Sequence, residues 1–385
     1  MYLSHLALTN YRNFSHMELD MPSGLVFVLG ANAQGKSNLL EAAYLLALAK
    51  SYRTNTEREL INWSVQQEGD APVEGTLIVG DVEQREGRLK VVIALHVLSR
   101  EGAGGALVQK QIRVSGAATS AVGLVGRVTS VLFTASDIEL VLGAPSGRRR
   151  FLDILISQVD RSYLRTLQRY QRVLTQRNHL LRLVRDGRSI SDELDFWDVE
   201  LVKEGSVLVA RRQEVMEYLA PLAVEAYARL SGGEEMTVAF QPSAAADDLP
   251  DALAGQRREE VKAGMTLMGP HRDDLALHVG GMAASTYASR GQARTIALGL
   301  RLAEAAFLQK ERREGPILLL DDVLSELDTG RRRQVLEEAA KYEQAVVTTA
   351  EPALIRDAPV APSATFTLRD GHVELSSEFH STTSG

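Results

Sequence analysis

The chain contains no cysteine, which excludes disulfides, thiolate metal sites and cysteine nucleophiles and suits a reducing cytosol. No apolar run approaches the length of a membrane span. The opening Met1-Tyr2-Leu3-Ser4-His5 has neither the charged start nor the long apolar stretch of a secretory signal, so a cytoplasmic location is expected. Aromatic residues are 5% of the chain, and no base-stacking platform for reading nucleic-acid sequence is evident. An overall excess of positive charge is missing too: with a net charge of −7, any nucleic-acid contact has to come from local basic faces. What is present is ordinary globular composition, 45% hydrophobic and 24% charged, in a chain of 385 residues that can build two lobes, each with its own core.

The most informative stretch is Gly30-Ala31-Asn32-Ala33-Gln34-Gly35-Lys36-Ser37, which fits the phosphate-binding pattern G-x-x-x-x-G-K-[ST]. A buried-strand run, Leu25 to Leu29, precedes it, and a Leu- and Ala-rich helix former, Asn38 to Ala49, follows. In that context the loop N–H groups and those of the first helical turn converge on one point, where the helix dipole favours an anion. Lys36 would neutralise the β- and γ-phosphates, and the Ser37 hydroxyl would take one Mg²⁺ position. The chain therefore reads as nucleotide-binding.

Around this loop the first third is strand-rich. Pro22-Ser23-Gly24 is a turn, Asn10-Tyr11-Arg12-Asn13-Phe14 a polar link between strands, and Ser51-Tyr52-Arg53-Thr54 a polar stretch before a short helix near Glu57–Trp63. Strands are expected at 75–81, 89–98 and 109–114, with a Gly-rich link at 101–105. From Gly147 to Leu230 the pattern is helical. Leu167, Tyr170, Leu174, Leu181 and Val184 form one seam, interrupted by Arg177, and Leu194, Leu201, Leu208, Val215 and Leu222 recur every seven residues. The predicted unit is an antiparallel helical hairpin, too short for an extended coiled-coil arm. A strand at 236–241, a loose acidic link at 244–250 and a strand at 275–279 follow. Beyond them come a helix at 293–313, buried strands at 317–320 and 345–349 with a helix at 331–342 between, and a loose tail from Ser376.

The second decisive motif is Ile317-Leu318-Leu319-Leu320-Asp321-Asp322. An acid at the C-terminal edge of a buried parallel strand lies where α/β sheets bind ligands. Asp321 would hold Mg²⁺ beside Ser37, and Asp322 would orient or deprotonate the attacking water. Two segments compete for the glycine-rich signature of ABC-type ATPases. Leu230-Ser231-Gly232-Gly233-Glu234 is the better match by letters, but a helix ends there and a strand follows, so it reads as a C-terminal turn. Ser289-Arg290-Gly291-Gln292 opens the helix leading into the Asp321 strand and supplies a second anion-binding surface. Ser325-Glu326-Leu327-Asp328 resembles the D-loop of that superfamily. Thr348-Thr349-Ala350-Glu351 stands where such ATPases often carry a switch histidine and has none, which predicts a threonine sensor or slow hydrolysis.

Further stretches narrow the resemblance. The segment Asn10 to Phe14, the continuation Asn38-Leu39-Leu40-Glu41-Ala42, Pro145-Ser146-Gly147-Arg148-Arg149-Arg150-Phe151-Leu152-Asp153 and Gly269-Pro270-His271-Arg272-Asp273-Asp274 resemble the RecF family of bacterial recombination and gap-repair ATPases, relatives of SMC-type heads. The resemblance spans nearly the whole chain. It implies an α/β fold: an ABC-type P-loop head of mixed sheets around a central P-loop helix, built from 1–115 and 265–385. A mainly helical second lobe of 116–264 would carry the short hairpin, with 289–292 near the lobe boundary. It implies ATP contacts from Arg12, Asn13, the loop Gly30–Ser37 and Asn38. It also implies a homodimer in which Ser289, Arg290, Gly291 and Gln292 close in trans over the partner's ATP, beside the D-loop residues Ser325 and Asp328. Weak DNA-dependent ATP hydrolysis, binding to gapped or junction DNA in the nucleoid, and cooperation with RecR and RecO in loading RecA complete the expectation. The coupling glutamine stays open between Gln66 and Gln67.

The residues themselves speak less firmly about DNA. Arg161, Arg165, Arg169 and Arg172 share a helical face and Arg177, Arg182, Arg185 and Arg188 follow, which fits a phosphate-binding stripe or a solvated surface. Arg148-Arg149-Arg150 fits DNA contact, inter-lobe pairing or plain surface, and His271-Arg272 a phosphate contact or a structural tie. Three other readings stand beside the leading one. An ABC-transporter ATPase is disfavoured by the missing histidine and the helical hairpin, and an SMC-like structural ATPase by the lack of a long coiled coil. A small-molecule kinase would leave Ser289–Gln292 and Ser325–Asp328 unexplained.

Overall fold

The computed structural model describes residues 1–62, 75–98 and 107–376. The expected link at 101–105, Trp63 at the end of the short helix, both candidate glutamines, Gln66 and Gln67, and the tail beyond Ser376 lie outside them. The chain divides into two compact units, Met1–Ala135 with Leu308–Gly385, and Ser136–Phe307.

The first unit opens with β1 (Tyr2–Tyr11), β2 (Phe14–Asp20), β3 (Gly24–Leu29), α1 (Lys36–Leu48), β4 (Gly75–Gln84), β5 (Gly87–Leu98), β6 (Leu107–Val114), β7 (Ala117–Thr119), α2 (Ala121–Leu124) and β8 (Ser130–Thr134). All but β3 and β8 of these strands form an antiparallel sheet in the order β2-β1-β4-β5-β6-β7. Its alternating strands bury one row of side chains, among them Leu3, Leu6, Leu8, Ile78, Val91, Ile93 and Ile112. Helix α1 is apolar nearly all round and is buried along its length, as such a helix must be in a core.

The second unit contains α3 (Glu139–Leu142), α4 (Pro145–Val159), α5 (Arg161–Arg185), α6 (Leu194–Ser231), β9 (Met236–Gln241), α7 (Leu249–Ala263), β10 (Asp274–Val279), β11 (Met282–Ala283), α8 (Ala284–Tyr287) and most of α9 (Arg290–Arg312). Pro145 starts α4 at a position where its missing N–H costs nothing. Helices α5 and α6 pack as the expected hairpin. Leu194, Leu201, Leu208 and Val215 are buried, but past Pro221 the inward face moves to Ala223, Ala226, Tyr227 and Leu230, leaving Leu222 half-buried. A seven-residue repeat drifts on a 3.6-residue helix, and the proline lies where the stripe changes. Arg177 belongs to the α5 seam itself: it is fully buried and bonds Asp198 and Glu260, each at 2.6 Å. It is therefore a structural ion pair and not part of a basic surface. The acidic link ends earlier than expected, because α7 starts at Leu249.

The remaining elements are β12 (Ile317–Asp321), α10 (Thr329–Ala339), β13 (Gln344–Thr349), α11 (Pro352–Arg356), β14 (Ala364–Arg369) and β15 (His372–Leu375). With β3 and β8 they form the sheet β15-β14-β3-β13-β12-β8, parallel except for the edge strand β15. Its inner strands are buried on both faces. The unit boundary differs from the one expected. Residues 116–135 join the first unit because β8 pairs with β12 and β7 with β6, and 265–307 join the second because β10 pairs with β9.

Candidate functional site

The phosphate loop leaves the C-terminal end of β3 and enters α1 through Gly35, whose φ of 111° is left-handed. A β-carbon there would lie 2.5 Å from Asn13 Nδ2, and one at Gly30 would lie 2.7 Å from the Leu368 carbonyl, so both glycines are required by close approach. Lys36 is buried, and its ammonium donates to the carbonyls of Gly30 at 2.7 Å and Ala31 at 3.0 Å. Burial lowers its pKa, against the pull of Asp322 and Asp321. The Gln34 side chain accepts from the N–H of Asp370 in the β14–β15 turn, a partner that sequence reasoning missed.

Strand β13 lies between β3 and β12 and sets Thr348 in register with Asp321. Asp321 Oδ1 accepts from the Ser37 hydroxyl at 2.9 Å and from Thr348 Oγ1 at 3.1 Å, and its Oδ2 accepts from the Tyr52 hydroxyl at 2.9 Å. The Ser37–Asp321 pairing inferred from two motifs 284 residues apart is thus a direct contact. Tyr52 was visible only as part of a polar stretch. Asp322 adopts a left-handed backbone (φ 52°), and its N–H donates to Thr348 Oγ1 at 3.0 Å. That turn takes Asp322 out of line with Asp321. Burial raises the Asp322 pKa, with Lys36 opposing, and its Oδ1 is buried without a hydrogen-bond partner. A buried, unsatisfied carboxylate oxygen beside a lysine is what a site for a polar reactant needs. Thr348, in the place considered for a sensor, donates to Asp321 and accepts from the Asp322 N–H.

Arg12 and Asn13 reach the same loop by different routes. Asn13 donates to the Gln34 carbonyl at 2.9 Å and accepts from Asn38 at 2.7 Å, which ties the β1–β2 turn to the loop and to α1. Arg12, expected to contact nucleotide, forks onto the fully buried Glu41 at 2.9 and 2.8 Å. Glu41 also accepts from Ser51, and burying that carboxylate requires such partners. In the D-loop, Ser325 donates to the Asp322 carbonyl at 2.7 Å, and Asp328 caps α10 by accepting from the Arg331 N–H at 3.0 Å.

Residues 2–373 match the family described as RecF/RecN/SMC N terminal domain. The DNA replication and repair protein RecF of Roseiflexus castenholzii is 40% identical over 368 residues, covering 91% of this chain and 93% of that protein. The chain belongs to the RecF family. A solved structure of the recombination mediator protein RecF-ATP in the RecFOR pathway superposes with a TM-score of 0.85 at 30% identity, covering 98% of each chain. An Smc head bound to the C-winged helix domain of ScpA, 14% identical with a TM-score of 0.55 and covering 98% of each chain, shares the fold. The architecture is that of an ABC-type ATPase head.

In the second unit, the two stretches that suggested RecF hold each other. Arg148 is buried and bidentate to Asp274, at 2.6 and 2.9 Å, and Arg149 donates to the Asp273 carbonyl at 2.8 Å. Arg212, also buried, joins Tyr163, the Pro270 carbonyl, Asp273 and Asp153. His271 donates from Nε2 to the Thr266 carbonyl at 3.1 Å and accepts at Nδ1 from the Tyr170 hydroxyl at 2.6 Å; burial depresses its pKa to about 4. Arg148, Arg149 and His271 are therefore structural ties within this unit. The decoy Ser231-Gly232-Gly233-Glu234 ends α6, with Gly232 and Gly233 both at positive φ. Ser289 and Gln292 start α9 as a reciprocal capping box: the Gln292 N–H donates to Ser289 Oγ at 3.2 Å, and the Ser289 N–H to Gln292 Oε1 at 3.0 Å. Arg161, Arg165 and Arg172 are exposed on α5, while Arg169, also exposed, bonds Glu204 at 2.9 Å. No helix among the described residues is long and apolar enough to cross a membrane.

Proposed function

We propose that this protein is a DNA-replication and repair ATPase that binds ATP·Mg²⁺ and closes as a homodimer on DNA, hydrolysing ATP slowly. The contact that carries the reading is Ser37 Oγ to Asp321 Oδ1 at 2.9 Å, beside the buried Lys36 and the unsatisfied Oδ1 of Asp322. A hydroxyl and carboxylate oxygens are the donors Mg²⁺ prefers, so Ser37 and Asp321 fit the metal. When bound, Mg²⁺ would neutralise charge on the β- and γ-phosphates. The Gly30 N–H is held by the Thr349 carbonyl at 3.1 Å, so the loop N–H groups of Ala31, Asn32, Ala33, Gln34 and Gly35 would meet those phosphates, and Lys36 adds a fixed positive charge. Asp322, with its raised pKa and an open acceptor oxygen, is the residue to orient or deprotonate the attacking water.

Ser289, Arg290, Gly291 and Gln292 of the partner subunit's copy would complete each site in trans, with Ser325 and Asp328 near the same interface. The relatives named as DNA replication and repair proteins, and the structure of RecF in the RecFOR pathway, support DNA repair together with RecR and RecO as the setting. Gapped or junction DNA, RecA loading and a cytoplasmic, nucleoid-associated location are the reading taken from the family resemblance. The 40% identity to a repair protein favours this over the transporter and chromosome-structure readings.

The test is mass in solution with and without ATP·Mg²⁺ and duplex DNA, for wild type and Lys36→Arg. Dimerisation that requires ATP, strengthens with DNA and weakens in Lys36→Arg is expected. A wild-type protein that stays monomeric in all conditions overturns the proposal.

A further inference from the structure

The segment that spells a signature at the wrong place has a function in the structure. Helix α6 ends at Gly232, and the two left-handed glycines turn the chain so that the Glu234 N–H donates back to Ser231 Oγ at 3.1 Å. The Glu234 carboxylate is then held from one side by the hydroxyl of the fully buried Tyr227. Its other oxygen, Oε1, accepts from Gln292 Nε2 at 2.6 Å. Gln292 in turn offers Oε1 to the Ser289 N–H.

Both ends of the Gln292 amide are thereby specified. Flipping it would point its oxygen at a carboxylate and its NH₂ at the Ser289 N–H, two repulsive contacts in place of two hydrogen bonds. We propose that Glu234 is a positioning residue for the signature: it locks the Gln292 amide, which locks the reciprocal cap and fixes the exposed Ser289. Because Ser289 Oγ already accepts from the Gln292 N–H, its own proton has no acceptor among the described residues and is directed by the cap toward an incoming anion. The ligand class is the terminal phosphate of a nucleotide on a second copy of the chain. This inference rests on the trans reading of Ser289–Gln292 above.

The experiment compares wild type, Glu234→Ala and Glu234→Gln for affinity to N-methylanthraniloyl-ATP, ATP-dependent dimerisation and turnover. Glu234→Ala is expected to bind nucleotide as the monomer does but to lose about tenfold or more in dimerisation and turnover, the scale found when an orienting partner is removed. Glu234→Gln, which keeps an acceptor oxygen, is expected to recover part of the loss. The deciding arm mixes Glu234→Ala with Lys36→Ala. A mixed dimer then pairs the intact loop of one chain with the intact signature of the other, and turnover should rise above the sum of the two variants measured alone. No recovery on mixing, wild-type dimerisation by Glu234→Ala, or weakened nucleotide binding by the monomer would each overturn the inference. Should Glu234→Ala fail to fold, Tyr227→Phe and Glu234→Gln carry the same comparison. A wild type that does not dimerise with ATP fails the underlying reading instead, which separates the two.

Discussion

Asp321 and Asp322 are adjacent in sequence but differ in every physical respect. Asp321 takes hydrogen bonds from Ser37, Tyr52 and Thr348, which fix the orientation of both its carboxylate oxygens. Asp322 is turned away by a positive φ, is partly desolvated and has an unsatisfied oxygen. The expected consequence of Asp322→Asn is unchanged ATP affinity with turnover reduced by about 10²–10⁴, the range for losing a general base, measured by phosphate release alongside nucleotide titration. Equal losses in affinity and turnover would show that Asp322 serves binding only. Thr348→Val removes one hydroxyl that supports both aspartates. It should raise the Mg²⁺ concentration needed for nucleotide binding by about 10-fold or more, as loss of an orienting partner does, read by titrating Mg²⁺ against a fluorescent nucleotide. Residue types and order made Ser37, Asp321 and Asp322 legible beforehand. Tyr52 and Thr348 were not, because their roles arise from strand register and a loop's path, which no local spacing encodes.

At the scale of elements, pattern reading was reliable where one face is apolar and unreliable where a buried face carries charge. The seven-residue repeat gave the α6 stripe as far as Pro221. The row of arginines on α5 did not separate surface Arg161, Arg165 and Arg172 from Arg177, whose partners come from α6 and α7. The β14–β15 hairpin was missed although Asp370-Gly371 is a strong tight-turn signal, with both residues at positive φ. Arg212 shows what a buried ionic tie costs to break. It serves two carboxylates, a tyrosine and a carbonyl with one planar fork, so Arg212→Ala should destabilise the protein by about 3–5 kcal/mol. Arg212→Lys should not rescue it, because an ammonium cannot reach all four partners; urea unfolding monitored by circular dichroism measures both. His271 adds a pH dependence. Its folded pKa of about 4 lies below the ordinary histidine value, so the unfolded chain binds the extra proton first as pH falls. Its contribution is complete above pH ~6.5 and is lost on acidification toward pH ~4, on the order of 3 kcal/mol. His271→Gln should flatten the unfolding midpoint across that window, whereas an unchanged slope would place the acid sensitivity elsewhere.

For the whole molecule, the net charge of −7 opposes DNA, so any binding must be carried by a local basic surface strong enough to outweigh the mean. The structure sorts the arginines for that task. Arg177 is buried, Arg148 and Arg149 are engaged with Asp274 and Asp273, and Arg169 is bonded to Glu204. Of the first row on α5, that leaves Arg161, Arg165 and Arg172 as exposed cations along one helix face; Arg150, Arg182, Arg185 and Arg188 are exposed elsewhere. If this face meets the backbone of DNA in the ATP-bound dimer, each arginine that neutralises a phosphate contributes about 0.9 to the slope of log K against log salt. Replacing all three with alanine should then lower that slope by about 2–3 and weaken binding to every DNA sequence alike. Arg169→Ala should change it by less, because Glu204 already neutralises that guanidinium. Fluorescence anisotropy with duplex and gapped DNA, in ATP·Mg²⁺ over a series of salt concentrations, supplies the slopes. A triple variant with the wild-type slope would move the DNA-binding surface off this face of α5 while leaving the ATP-dependent dimer untouched.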